Sequence, residues 1–251
     1  MKILATVVVA ASLVVGNTAR ADQINLTYDN PVWNPLGYDA ITFSTNSGGT
    51  WSGSVAAARF QATVQSTSGA LDPGALVDST TDFFMYCYDL LQYISSGENV
   101  TYDVHYNAAT SRTLDFLGAV NYTLNSNSNA WIDPFAWLHP TTANFAAAIQ
   151  LGIWESLYDS SSTWSLTADT FRVNGVDAAT QTAFNSFTGN LAAADSFSGS
   201  HTIVLYSQTK QDQITGLRGT AGFNVPEPGS LALLGLGLGV AGLAGRRSRR
   251  S

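Results

Sequence analysis

The chain contains one cysteine, Cys87, set in Phe-Phe-Met-Tyr-Cys-Tyr-Asp at residues 83–89. With no second thiol, an internal disulfide is excluded, and an odd cysteine points to intermolecular pairing or special chemistry. His105, His139 and His201 show no zinc spacing with it, and no calcium-loop pattern occurs, so no metal or other cofactor is expected. Nucleophilic catalysis needs a base beside the thiol. No Cys/His signature and no Gly-x-Ser-x-Gly elbow is present. One further chemistry needs only a thiol and a carboxamide. A cysteine thiol condenses with a glutamine side chain, expels ammonia and leaves an internal thioester. Holding the two groups in contact removes the entropic cost of their meeting. Phe83, Phe84, Tyr86 and Tyr88 supply apolar bulk that keeps water away.

Gln150, in Ala-Ile-Gln-Leu-Gly-Ile-Trp-Glu, is the carboxamide expected to meet Cys87, and Trp154 lies one helical turn onward to shield the same patch. Gln92 competes, but five residues from the thiol it would close a very tight ring. Tyr86-Cys87-Tyr88-Asp89 resembles the cysteine motif of bacterial surface thioester domains: an aromatic or leucine, Cys, a hydrophobic residue and an acid. Gln150-Leu151-Gly152-Ile153-Trp154 is similar to their glutamine motif, usually Thr-Gln-x-Ala-Ile-Trp, with Ile149 in place of Thr and Gly152 in place of Ala. The resemblance spans about residues 35–208, with only these two stretches sharp. It implies an adhesin that forms a covalent amide with an amine-bearing surface ligand. Cys87 and Gln150 would be the crosslinked pair, and Tyr86, Asp89 and Trp154 would shape the pocket. The bond is spent in the act, so the protein would be a single-use reagent and not an enzyme.

Other readings stand beside this one. A lone cysteine among aromatics is commonly a small core hydrophobe, and a glutamine on an apolar helix commonly bonds backbone. A non-reactive β-rich matrix or carbohydrate-binding module is therefore the alternative, with Trp33, Trp51 and Trp164 as candidate stacking platforms. Asp133, Glu155 and Asp159 are the carboxylates available to a sugar hydrolase, a class with no motif behind it. Three Asn-x-Thr sequons, at Asn25, Asn99 and Asn121, are read as chance.

Residues 23–29, 39–45, 59–66 and 99–107 read as strands, the last placing Val100, Tyr102, Val104 and Tyr106 on one face. Residues 83–94 are too apolar to show a period and fit a buried strand or a buried helix edge. Residues 138–159 read as a helix, with Phe145, Ile149, Ile153 and Leu157 forming a stripe and Thr141 or Thr142 as cap. Gly152 would let another backbone approach. An Asn174-Gly175 turn precedes a second helix from Asp177 through Ala194, and 201–208 closes as a strand. The class expected is α+β: a β-sandwich-like sheet core with a helical subdomain, over residues 22–208, followed by a linker at 209–225.

Both ends are expected to be processing signals. Residues 1–21 have a basic residue, Lys2, an apolar run and a small-x-small site at Ala19-Arg20-Ala21, the build of a signal peptide. An uncleaved membrane anchor is the rival reading. Residues 226–251 run Pro226-Glu227-Pro228, an uncharged apolar stretch, then Arg246, Arg247, Arg249 and Arg250, which favour a cytoplasmic end. This order resembles the PEP-CTERM sorting signal of Gram-negative bacteria. It implies a transmembrane sorting helix, recognition by an exosortase-type transpeptidase, and a body delivered to the cell envelope, cell surface or extracellular matrix. A plain tail anchor is the rival. Over residues 22–228, all 18 acidic residues meet only Arg59, Arg112, Arg172, Lys210 and Arg218. Such a negative surface excludes nucleic acid and anionic membrane as partners of the body.

Overall fold

The computed structural model describes residues 21–47, 49–126, 133–159 and 161–218. The expected signal peptide (apart from Ala21), the expected sorting helix, Pro226, Glu227, Pro228 and the arginine tail lie outside the described residues.

Alternation writes the strands. β1 (Gln23–Tyr28) buries Ile24, Leu26 and Tyr28, and β6 (Asn99–Tyr106) buries Val100, Tyr102 and Val104, each on one face of the pleat. β4 (Phe60–Ser68) flanks β1 on its other side, with a bulge at Asn25/Leu26. β5 (Phe83–Cys87) pairs with β4 through Phe60↔Met85, and β9 (Gln213–Gly216) pairs with β5 through Cys87↔Gln213. β8 (Thr202–Tyr206) joins β9 to β6. The result is a closed antiparallel barrel in the order β1-β4-β5-β9-β8-β6. A second sheet carries β3 (Trp51–Ala57), β2 (Asp39–Thr45) and β7 (Phe171–Asn174) in that order.

The mixed class stands, but the expected sandwich is corrected to a barrel. Inward–outward alternation is the same for both, and only the return of β6 onto β1 decides closure. The linker expected at 209–225 is corrected as well. Its residues 213–216 are β9, buried throughout and hydrogen-bonded on both sides.

Three helices pack on one another: α1 (Ser111–Leu124), α2 (Ala143–Tyr158) and α3 (Ala178–Gly189). Thr142 caps α2 by accepting from the Phe145 N–H at 3.2 Å, so the helix starts at Ala143, five residues after the expected start at 138. Residues 136–138 form a separate 3₁₀ turn. Every residue of α2 from Ala146 to Ser156 is buried, as expected of a helix enclosed by protein on all sides. α3 begins after Asp177 as expected but ends at Gly189, short of Ala194. At Gly152 a Cβ would stand 1.9 Å from the Phe116 ring, so the notch admits an aromatic ring from α1 where a backbone was expected. Phe116 continues into Trp164, Phe184 and Phe187, which join the helices into one core with the sheets. Among the described residues, no helix is long and apolar enough to cross a membrane.

Candidate functional site

Cys87 is the last residue of β5, covered by α2 and β9 and 1% exposed. Three glutamines surround it. Gln150, fully buried on α2, holds its main chain. The Cys87 N–H donates to Gln150 Oε1 and Gln150 Nε2 donates to the Cys87 carbonyl, both at 2.8 Å. The side-chain amide thus does what a neighbouring strand would do, and satisfies two backbone groups that burial would otherwise strand. The sequence expectation placed Gln150 on the thiol, and the described contacts place its carboxamide on the Cys87 backbone.

The thiol belongs to a different glutamine. Cys87 Sγ donates to Gln211 Oε1 at 2.9 Å, and Gln211 Nε2 donates to the Asp89 carbonyl at 2.8 Å. The Gln211 carbonyl is in turn fixed by the Tyr102 hydroxyl at 3.2 Å and Gln213 Nε2 at 3.0 Å. Tyr102 is braced by the Tyr28 hydroxyl at 2.6 Å. Burial pushes the Cys87 thiol well above its ordinary range, and the Asp89 charge adds to this. The resting sulfur is therefore a protonated thiol.

Cys87 and Gln211 both face a cleft of about 360 Å³, whose walls include Trp33, Phe60, Gln92 and Trp154. No charged side chain lines it among the described residues. Of the three pocket residues expected from sequence, Trp154 alone lines the cleft. Tyr86 is fully buried, stacks on Trp137 with ring centroids 5.9 Å apart, and donates to the Trp137 carbonyl. Asp89 shapes the following turn, its Oδ1 accepting from the backbone N–H groups of Leu91 and Gln92.

The remaining candidates lie elsewhere. Glu155 is fully buried and pushed up to about 8, foremost by burial, with the Ser165 N–H and Arg112 working against that rise and Asp159 adding to it. Its nearest cation is Arg112, at 3.6 Å. Asp133 and Asp159 accept backbone N–H groups of Phe135 and Ser161, so they organise turns. Trp164 stacks on Phe116, and Trp51 is half exposed on β3. His139 pairs with Asp78 at 2.8 Å, His105 lies against Tyr206, and His201 sits among Phe135 and Phe197. Among the described residues, no group of three His, Cys, Asp or Glu side chains can hold a metal ion. Sequence reasoning missed Gln211, because Gln208-Thr-Lys-Gln211-Asp-Gln213 reads as polar linker. The available signal was Ile214, the first apolar residue after that run.

The protein-family comparison gives one match: the PEP-CTERM protein-sorting motif, over residues 224–250. No curated protein and no solved structure matches the chain. The motif marks an exported protein that transits the membrane and is processed by an exosortase-type enzyme.

Proposed function

We propose that residues 22–218 form a surface attachment module in which Cys87 condenses with Gln211 to an internal thioester, later opened by a primary amine on a surface or matrix ligand. The Cys87 S–H adds to the Gln211 side-chain carbonyl carbon. Its proton leaves with Nε2 as ammonia, and a C–S bond replaces the C–N bond. The observation that carries this reading is the 2.9 Å contact between Cys87 Sγ and Gln211 Oε1 at the wall of a mostly apolar cleft. Gln150 supports it by fixing the Cys87 backbone from the opposite side. The assignment of the acyl group passes from Gln150 to Gln211 for a geometric reason: both polar ends of the Gln150 amide are already spent on main chain. The resemblance of Tyr86-Cys87-Tyr88-Asp89 to the thioester-domain cysteine motif supports Cys87 as the thiol, while the glutamine motif of that resemblance falls on Gln150 and not on Gln211. The sorting motif delivers such a module outside the cytoplasm.

The test is the intact mass of the mature protein, which this reading puts one ammonia below the sequence mass. Methylamine should add at Gln211, and Cys87→Ala should abolish both effects. The second reading, a non-reactive β-rich surface module, is favoured by the thiol's own state: raised in pKa by burial and already hydrogen-bonded, it is at rest without any reaction.

A further inference from the structure

Two polar atoms in the cleft wall have no hydrogen-bond partner among the described residues: Gln92 Oε1 and Trp154 Nε1. They come from different elements. Trp154 sits on α2, 1% exposed, one turn beyond Gln150. Gln92 sits in the loop that follows Cys87, its backbone N–H held by Asp89 Oδ1 at 3.1 Å and its Nε2 directed at the Gln208 carbonyl at 3.4 Å. Unpaired buried polar atoms cost stability when nothing offsets them. Here one is an acceptor and the other a donor, and both residues line the cleft that holds Cys87 and Gln211.

Resting on the Cys87–Gln211 reading, we propose that these two groups receive the incoming amine. Gln92 Oε1 accepts a hydrogen bond from the attacking nitrogen, and the Trp154 indole N–H donates to the Gln211 acyl oxygen as it gains negative charge. The nitrogen lone pair attacks the acyl carbon, the C–S bond breaks, and one proton passes from nitrogen to sulfur. The products are an amide at Gln211 and the Cys87 thiol. No oxidant, metal or further reactant enters the balance. The substrate class follows from the walls. With no charged side chain in the cleft lining among the described residues, an ammonium finds no counter-ion there, so the reacting species is a neutral, unhindered primary amine, with Trp33 and Phe60 beside its alkyl stem.

Methylamine is the probe, applied to the full mature chain, with intact mass read against time. Trp154→Phe removes the indole N–H and Gln92→Met removes the Oε1 acceptor together with Nε2, while both keep most of the volume. Each is expected to slow methylamine uptake about tenfold or more, while Gln92→Glu, which keeps an acceptor oxygen, stays within a few-fold of wild type. Thioester formation runs through the same transition state with ammonia as the departing amine, so the ammonia deficit should also appear more slowly in the two slow variants. Unchanged formation and uptake rates in Gln92→Met, or equal losses in Gln92→Met and Gln92→Glu, overturn the proposal. If Trp154→Phe does not fold, Gln92→Met, on a surface loop, decides alone. A wild-type protein with no ammonia deficit defeats the underlying thioester reading instead.

Discussion

The side-chain amide of Gln150 pairs with both main-chain groups of Cys87, at 2.8 Å each, across 63 residues of sequence. It ties the most enclosed helix to the barrel at the residue whose sulfur contacts Gln211. Truncating it leaves a buried N–H and a buried C=O without partners. Gln150→Ala is expected to lower unfolding stability by about 3 kcal/mol or more. Denaturant titration measures this, and a loss under about 1 kcal/mol contradicts the role given to the pair.

Gly152 and Phe116 make a second dependence between helices. On propensity alone, Gly152→Ala in mid-helix should gain about 1 kcal/mol. Here the added Cβ would stand 1.9 Å from the Phe116 ring, so the substitution is expected to destabilise, by about 1–3 kcal/mol. Adding Phe116→Leu should recover part of that loss. A double-mutant cycle with no coupling between the two sites would contradict the packing described.

Glu155 gives the stability a pH dependence of definite sign. Its folded pKa is raised from 4.5 to about 8, chiefly by burial, so the folded chain keeps a proton that the unfolded chain releases. Its contribution therefore falls as pH rises from about 4.5 to about 8, and is level outside that window. Glu155→Gln removes the titration. The variant's stability relative to wild type is expected to improve steadily between pH 5 and pH 8, by a few kcal/mol at most, as measured by denaturation at each pH.

The described fold needs the segment after residue 208. β9 closes the barrel between β5 and β8 and carries Ile214, which is fully buried. A mature chain ending at 208 is expected to lose cooperative unfolding, whereas one ending at 218 keeps it. Circular dichroism melts of the two truncations check this.

Several strands were legible because their alternation survives in the sequence: Ile24, Leu26 and Tyr28 in β1, and Val100, Tyr102 and Val104 in β6. β5 shows no period because four of its five residues are buried. α1 was missed because Thr, Asn and Tyr dilute its stripe, although Thr110 caps it by accepting from the Thr113 N–H at 3.1 Å. β9 was missed for the same reason as Gln211. Gln213 and Thr215 are polar yet fully buried, and polar residues between strands read as solvent-facing until their partners are known. The Thr215 hydroxyl donates to the Phe84 carbonyl at 2.6 Å, a satisfaction that only the folded barrel provides. The sequence pointed to Cys87 and Gln150 as a crosslinked pair, and in the fold the Gln150 amide bonds the Cys87 main chain. What each atom of the amide touches was not legible, since a motif fixes neighbours and not hydrogen bonds.

The most direct measurement is peptide mapping of the mature protein after methylamine treatment, alongside its intact mass before treatment. The mature protein is expected to show an initial deficit of one ammonia and then a methylamide on Gln211, with Gln150 unmodified. A full sequence mass together with an underivatised Gln211 would contradict it.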